Sequence, residues 1–414
     1  MAFLRSIFGR DKDQTTANSS PSQQQIARPD TRAMVFVGGQ DHKLRALDAH
    51  TGKQKWEFDA GGWVETIPAT WQGVLIGTSW NLQTDEARVF ALDILTGSTV
   101  WELRPGWGET CSPAVLDGMA FIGASNNNLY ALDLRTGRIV WEFETQGRIS
   151  GSPTVSDGLV FVGSDDGNLY AVSPSSGLME WQAPTDGRVW GSPAVADGRV
   201  YFGSDDWKLH VVETATSVNV WEFQTGEDAA QATNRDMCMS YPVVGDGLVF
   251  VGSMDTHVYA LEPETGRIVW RFDAEDIVSP PAVWEDLVIV GSHGFQALDA
   301  KTGRPVWKSE ADMLTVGAPT IWRDQVFVVG SGPPIPKPAD MDVPDEAWRS
   351  LGLVSCRLYA LDARTGNQIW GSPHTTDGDM SSASVWEEGK SDWPMFRGNP
   401  QHTGIGVPVT GRGN

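Results

Sequence analysis

The chain has 414 residues, of which 40% are hydrophobic and 20% charged, as in a globular protein, but 19 Trp and 45 Gly are high for this length. A net charge of −22 argues against nucleic acid as a partner, because that partner requires a basic surface. Three cysteines without a Cys-x-x-Cys pair give no support to a zinc site, a haem attachment site or a disulfide framework. The acidity fits either solubility or a salty habitat.

Residues 1–33 are predicted to be a flexible N-terminal segment. Four apolar residues in its first twelve would share one helical face and could dock on a protein partner or weakly on a membrane surface: Phe3, Leu4, Ile7 and Phe8. A disordered end is the alternative, since one or two helical turns are unstable alone. With no recognisable cleavage site, lipid-accepting cysteine or apolar run of about 18 residues, we expect a cytoplasmic protein without a transmembrane segment.

An eleven-residue segment of the form Ala-Leu-Asp-x-x-Thr-Gly-x-x-x-Trp, with variations, recurs eight times between residues 46 and 370. Its last residue is a tryptophan in every copy: Trp56, Trp101, Trp141, Trp181, Trp221, Trp270, Trp307 and Trp370. Three consecutive intervals are 40 residues long, a period that indicates a propeller or a solenoid. These tryptophans are therefore assigned a structural role.

Each repeat is predicted to form four antiparallel strands, because short alternating runs are separated by Asp-Gly and Thr-Gly turn signals. The glycine of Thr-Gly supplies positive φ in the turn before the outer strand, and the tryptophan is expected to dock against the turn of the neighbouring blade. The first repeat begins at Met34 without an inner strand, and residues 380–388 have the sequence of one. We predict an all-β, eight-bladed propeller over residues 34–390, closed by that C-terminal strand and followed by a tail, residues 391–414.

The repeats resemble those of pyrroloquinoline quinone (PQQ) propellers, and DWPMFRGNPQHTG at residues 392–404 is similar to a segment that commonly opens them. That family includes quinone-dependent dehydrogenases and non-catalytic members such as the outer-membrane assembly lipoprotein and the sensor domains of some kinases. A dehydrogenase would need a carboxylate base, a calcium ion, a Trp under the quinone and usually a disulfide between adjacent cysteines. Cys111, Cys238 and Cys356 cannot supply that pair, so the resemblance implies a non-catalytic member without a cofactor.

The loops between second and third strands and the connections between blades should emerge on one face, which also carries the long insertions at residues 79–88, 224–240 and 332–355. Trp348 in the last insertion could contact a partner or pack back over the rim. Alignment of the inner strands places ten residues near the channel mouth: Trp63, Glu65, Trp107, Glu109, Arg148, Arg188, Trp190, Asp236, Met239 and Asp276. They could hold a small anionic or planar ligand, or the arginines could pair with Glu109 or Glu65 as a structural plug.

The Asp165-Asp166 and Asp205-Asp206 pairs suggest calcium ligands, but side-chain caps of tight turns explain them without a metal, and we expect no metal site. The sequence therefore favours a non-catalytic scaffold that binds protein partners through the insertion face and the N-terminal segment. A small-ligand sensor at the channel mouth and, less favoured, a PQQ-dependent dehydrogenase are the alternatives.

Overall fold

A computed structural model describes residues 32–225, 241–253, 255–274, 279–292, 294–309, 318–334, 354–372, 376–377 and 383–388. The regular elements within these residues are all β-strands, and they form eight antiparallel sheets. The inner strands of neighbouring sheets contact one another around the centre, and the sheets form an eight-bladed propeller. The fold predicted from the repeats is confirmed.

Blade 1 combines the two ends of the propeller. Its inner strand, Ser384–Glu387, pairs antiparallel with Ala33–Gly38, and the other two strands are Lys43–Asp48 and Gln54–Asp59. The buried carboxylate of Glu387 accepts hydrogen bonds from Trp322 Nε1 (2.9 Å) and the guanidinium of Arg323 (2.5 Å), both in blade 8. The predicted closure by the segment at residues 380–388 is thus confirmed where that segment is described.

The other blades each have four strands, which are named in order from the inner strand to the outer one. Blade 2 consists of Ala69–Trp71, Val74–Asn81, Glu86–Asp93 and Thr99–Leu103. Blade 3 consists of Ala114–Leu116, Met119–Gly123, Asn128–Asp133 and Ile139–Glu144. Blade 4 consists of Thr154–Ser156, Leu159–Gly163, Asn168–Val172 and Met179–Pro184. Blades 5 and 6 consist of Ala194–Ala196, Arg199–Gly203, Lys208–Glu213 and Asn219–Gln224; and Val243–Gly245, Leu248–Gly252, His257–Leu261 and Ile268–Asp273. Blades 7 and 8 consist of Ala282–Trp284, Leu287–Ser292, Gly294–Asp299 and Pro305–Lys308; and Thr320–Trp322, Gln325–Pro334, Val354–Asp362 and Gln368–Gly371, with Thr376–Asp377 beside the third strand.

The register between the third and fourth strands explains the repeat. In blade 3, Ala131 lies opposite Trp141, so a small residue faces the large ring, and a β-bulge follows the alanine. Asp133 then accepts hydrogen bonds from the backbone N–H and the hydroxyl of Thr136, which closes the turn. Gly137 has a φ of 70°, and a Cβ there would lie 2.7 Å from the Trp101 ring of the preceding blade.

The repeat tryptophans link the blades in a closed ring. Each donates its Nε1–H to a backbone carbonyl oxygen of the next blade, over 2.8 to 3.1 Å: Trp56 to Ile94, Trp101 to Leu134, Trp141 to Pro174, Trp181 to Thr214, Trp221 to Pro263, Trp270 to Ala300, Trp307 to Ala363 and Trp370 to Ala49. The predicted docking of each tryptophan on the neighbouring turn is confirmed. The hydrophobic core lies between blades, and one cluster joins blade 8 to blade 1 through Phe327 and Val35.

The two faces of the ring differ. On one face, which we call the Thr-Gly face, the turn between the first two strands is hydrogen-bonded to the Thr-Gly turn of the same blade. In blade 3, for example, Leu134 N–H donates to Gly118 O. On the other face, which we call the insertion face, the blade-to-blade connections bond to the loops between second and third strands, as in Trp63 N–H to Trp80 O (2.8 Å) and Asp165 N–H to Arg148 O (2.9 Å). The channel mouth lies on the insertion face.

Candidate functional site

The connections that enter the inner strands surround the channel mouth, and their backbones are held firmly. In the connection before blade 4, the Thr145 hydroxyl donates to the Asn127 and Gly147 carbonyl oxygens. A Cβ at Gly147 would lie 2.4 Å from the Asp166 nitrogen, so the connection crosses directly against the next loop. Thr185 and Gly187 repeat this arrangement before blade 5. Arg148 and Arg188, which follow the two glycines, therefore start from equivalent, fixed backbone positions.

Arg188 and Trp190 share one carboxylate at the mouth. Asp205 accepts a hydrogen bond from Arg188 Nε at 2.6 Å and another from Trp190 Nε1 at 2.9 Å. The Trp190 ring meets the ring of Tyr241 edge-on, with centroids 6.0 Å apart. The structure thus brings together two of the predicted mouth residues, but Asp205, rather than Glu109 or Glu65, is the carboxylate that holds them.

Arg148 pairs with Glu109 over 3.0 Å, as one of the predicted arrangements has it, and both side chains are about half exposed. Asp165 occupies in blade 4 the loop position that Asp205 occupies in blade 5. Burial raises the pKa of the Asp165 carboxyl, although the nearby Arg188 and Arg148 act in the opposite direction. The charged form of Asp165 is therefore disfavoured by its surroundings.

Trp63 and Glu65 lie in the connection that leads to blade 2. The Trp63 ring contacts the Trp80 ring edge-on at 6.0 Å, and Trp80 Nε1 donates to Asp85 in the tip of the blade 2 insertion. Glu65 is exposed and accepts a hydrogen bond from the Gln40 amide at 2.8 Å. Glu65 thus has a neutral partner, and the predicted alternative in which an arginine pairs with it is wrong.

Trp107 does not lie at the mouth. Its ring is only 5% exposed and stacks on Tyr130 at 3.7 Å with an interplanar angle of 8°. The residue belongs to the core between blades 2 and 3, because stacking on a buried tyrosine removes more apolar surface from water than exposure at the mouth would. Its placement among the predicted binding residues is corrected accordingly.

A cavity of about 180 Å³ opens beside these groups. Its walls come mainly from the connections before blades 2, 3, 4 and 6: Trp63, Glu65, Thr66, Thr78, Ser79, Trp80, Glu109, Thr110, Cys111, Ser112, Ser150, Ser152 and Tyr241. Burial raises the pKa of the Cys111 thiol to about 12, so this sulfur is protonated and unreactive at neutral pH. We call this space the mouth cavity.

The two aspartates of each Asp-Asp pair have different roles. Asp166 accepts from the Asn168 backbone N–H and the Tyr170 hydroxyl, and Asp206 accepts from the Lys208 backbone N–H and contacts His210. The capping role expected for both members is confirmed for the second one only, whereas the Asp205 side chain faces the mouth. Within the described ranges, no three His, Cys, Asp or Glu side chains are grouped so that they could hold a metal ion.

Several predicted contact residues lie outside the described residues. They are Asp236, Met239 and Asp276 of the mouth set, Trp348 of the blade 8 insertion, and Phe3, Leu4, Ile7 and Phe8 of the N-terminal segment. Conversely, sequence reasoning left Asp205, Tyr241 and Thr110 out of the binding set. Thr110 carried a signal, because the alignment of the inner strands places it at the same position as Glu65 and Trp190. The position of Asp205 also varies, with Ser125 in blade 3 and Asp165 in blade 4, while the capping position after it holds Asn126, Asp166 and Asp206 in blades 3 to 5.

A family model described as "Outer membrane protein assembly factor BamB" matches residues 14–142, 125–240 and 235–389. The chain belongs to this family. A BamB of that description from Moranella endobia (strain PCIT) is 34% identical over 102 residues, which are 23% of this chain and 26% of the relative. The match therefore spans about a quarter of that relative's length.

Three solved structures share the fold at 16% sequence identity. BamB from Moraxella catarrhalis superposes with a TM-score of 0.59 over 71% of this chain and 87% of that one. The computationally designed Ika8 protein gives 0.58 over 77% and 88%, and the quinohemoprotein alcohol dehydrogenase ADHIIG from Pseudomonas putida HK5 gives 0.59 over 72% and 68%. At this identity the likeness shows the fold alone, which a BamB and a dehydrogenase have in common.

Family membership corrects one expectation. The prediction of a cytoplasmic protein is wrong, because the family and the Moranella endobia relative are described as outer membrane protein assembly factors. That prediction rested on the first residues, whereas the family is identified by the propeller repeats. In the described part of the chain, no helix has the length and apolar character needed to cross a bilayer.

Proposed function

We propose that the protein is a non-catalytic scaffold that binds protein partners through its insertion face. The observation that carries this proposal is the contrast between the faces: the Thr-Gly face repeats one closed turn, whereas the insertion face differs from blade to blade. Differing loops on a rigid scaffold are where binding specificity usually resides. The description of the BamB family as assembly factors suggests that the partners belong to an outer-membrane assembly.

The chemistry of the mouth supports a binding role over a catalytic one. Two of its carboxylates, Glu109 and Asp205, are already paired with arginines, and the Cys111 thiol is held in its protonated form by burial. A thiol nucleophile would instead need to be an activated thiolate. The dehydrogenase alternative rests on the resemblance of the repeats to those of PQQ propellers and on the shared fold.

Two exposed leucines on opposite faces offer a matched test. Leu82 is 54% exposed in the blade 2 insertion, and Leu178 is 68% exposed after Ser176-Gly177, which form the turn of blade 4 equivalent to Thr-Gly. We expect Leu82→Glu to reduce the yield of a specific partner captured from the native cell at least threefold, because a charge must then be desolvated in the interface. Leu178→Glu should leave the yield unchanged, and equal losses for both variants would contradict the proposal.

The predicted docking segment needs its own comparison. We propose that residues 1–12 add a second contact, so a chain lacking residues 1–32 should capture the same partner with lower yield. Partner capture that is independent of the deletion and of Leu82→Glu would contradict both proposed contacts. The unfolding midpoint of every variant serves as the control for folding.

A further inference from the structure

Thr110 is the first sign that the mouth cavity is built for a ligand. The residue lies in the cavity wall, is only 8% exposed, and its Oγ1 has no hydrogen-bond partner. A buried hydroxyl without a hydrogen-bond partner is unfavourable. Seven buried side-chain atoms lack a hydrogen-bond partner in the described part of the chain, and the Thr110 hydroxyl is the one among them that lines the mouth cavity. By contrast, Thr66 and Thr78, in the same wall, hydrogen-bond to each other at 2.9 Å.

The charge of the wall indicates which ligand fits. Glu65 has only the neutral Gln40 amide as its hydrogen-bond partner, and Glu109 forms an ion pair with Arg148. Among the described mouth residues the carboxylates Glu65, Glu109, Asp165 and Asp205 face two arginines, both of which are paired. An anionic ligand would have to displace these pairs, whereas a positively charged N–H donor would meet carboxylate and hydroxyl acceptors.

The size and the aromatic walls narrow the choice further. A volume of about 180 Å³ is below the range of roughly 300–1,000 Å³ that is usual for pockets of drug-sized ligands, and it suits one side-chain-sized group. The rings of Trp63, Trp80 and Tyr241 line the same space, and aromatic faces attract ammonium and guanidinium groups. The hydrogen-bond acceptors, the negative charge and the aromatic rings of the cavity therefore all favour a small organic cation.

We propose that the mouth cavity binds a side-chain-sized organic cation, an ammonium or guanidinium group that donates to Thr110 and is neutralised by Glu65 and Glu109. The cation could belong to a small free amine or to a lysine or arginine side chain of a protein partner. The site goes beyond the scaffold function, since a free amine would bind whether or not the insertion face holds a protein.

Arg148 makes the proposal testable by sign. Its guanidinium competes with the ligand for the Glu109 carboxylate, so Arg148→Met should tighten cation binding about threefold to tenfold. If the site instead held an anion, removal of the arginine would weaken binding. Glu65→Gln should weaken binding by a similar factor, and Glu144→Gln, an exposed change on the outer strand of blade 3, is the matched control with no effect.

The experiment uses the full chain and two probes, n-propylguanidinium and n-butylammonium, with neutral n-butanol as the control, in a saturation-transfer NMR titration at low salt. We expect saturable binding of the cations only, with tighter binding to Arg148→Met, weaker binding to Glu65→Gln and unchanged binding to Glu144→Gln. An absence of saturable cation binding, equal binding of n-butanol, or weaker binding to Arg148→Met would overturn the proposal.

Thr110→Val separates a ligand contact from a structural role. Because the hydroxyl is unsatisfied in the free protein, its isosteric replacement should raise or preserve the unfolding midpoint while it weakens cation binding at least threefold. If Thr110→Val lowers the unfolding midpoint as well as the affinity for the cation, the ligand contact is overturned. Loss of partner capture by Glu65→Gln would identify the cation as a partner's side chain, and unchanged capture alongside cation binding would identify a free amine.

Discussion

The ring of repeat tryptophans and the channel mouth follow opposite rules. In the ring, eight copies of one contact satisfy each indole N–H with a carbonyl of the next blade. At the mouth, equivalent positions hold Glu65, Thr110, Ser150 and Trp190, and one of these groups lacks a partner. Repeated residues thus account for the fold, and among the residues that break the repeat are those that we propose for binding.

The two regions should differ most in how much free energy of unfolding is lost when a tryptophan is replaced by alanine. Trp270→Ala removes a buried ring and its hydrogen bond to Ala300, and should lower the free energy of unfolding by about 3–5 kcal/mol. Trp63→Ala, at the mouth, should cost about 1 kcal/mol, because its ring is only partly buried. Urea denaturation measures both, and equal losses would break the comparison.

Loss of an ion pair between blades should also cost more unfolding free energy than loss of one at the mouth, although both costs are smaller than that of the buried tryptophan. Glu387→Ala removes the buried acceptor that links Trp322 and Arg323, and should cost about 2–3 kcal/mol of unfolding free energy. Glu109→Ala disrupts a pair whose side chains are about half exposed, and solvent screening limits that loss to about 0–1 kcal/mol. The urea midpoints of the two variants should differ clearly, and a larger loss for Glu109→Ala would show that the mouth pair supports the fold.

The pH dependence of stability should differ in sign between the regions. The hydrogen bond from Thr136 lowers the pKa of Asp133, so this carboxylate stabilises the fold at neutral pH and loses that effect as pH falls through its folded pKa. Burial raises the pKa of Asp165, so its charge costs stability at neutral pH. Asp133→Asn should therefore be destabilising and Asp165→Asn stabilising at pH 7.

The Asp133 difference should be full above about pH 4, the pKa of an unfolded aspartate, and should shrink as pH falls toward its lower folded pKa. The Asp165 difference should shrink as pH falls through its raised folded pKa and should be absent below about pH 4. Thermal unfolding of wild type, Asp133→Asn and Asp165→Asn between pH 2.5 and pH 7 measures the differences. Differences that do not vary with pH would mean that the two effects come from packing.

The smallest predicted effect lies at the repeat that departs from the pattern. Blade 5 has Ser217 in place of the turn glycine, with a φ of 60°. Ser217→Gly should raise the free energy of unfolding by about 0.5 kcal/mol, because relief of the left-handed conformation exceeds the added freedom of the unfolded chain. The reverse change Gly177→Ser should cost about 1–2 kcal/mol, since its Cβ would lie 2.7 Å from the Trp141 ring.

The fold was predictable because its causes are local and repeated. The Thr-Gly turn, the aspartate cap and the tryptophan lie within eleven residues and occur with variations eight times, so even the weak copy at residues 211–221 could be aligned. Closure by residues 380–388 was predictable as well, since the N-terminal repeat lacked a strand and the C-terminal segment supplied its sequence. Both features depend only on the order and spacing of residues along the chain.

The site was less predictable because side-chain direction is not local. Trp107 and Trp63 both precede an inner strand, yet the ring of Trp107 turns into the core to stack on Tyr130 while Trp63 lines the cavity. Arg188 pairs with Asp205 instead of the two expected glutamates through a contact between a connection and the following loop. The missing partner of Thr110 is a property of the folded environment, and no sequence pattern reports it.

The most direct test of the contrast between the regions is photo-crosslinking from a single position on each face. The positions are Ser150 at the mouth and Leu178 beside the Ser176-Gly177 turn of the opposite face, and both are exposed. A photoreactive residue at Ser150 should give a discrete adduct with a partner in the native cell, and one at Leu178 should give none. Adducts from Leu178 but not from Ser150 would place the binding surface on the Thr-Gly face and contradict the account.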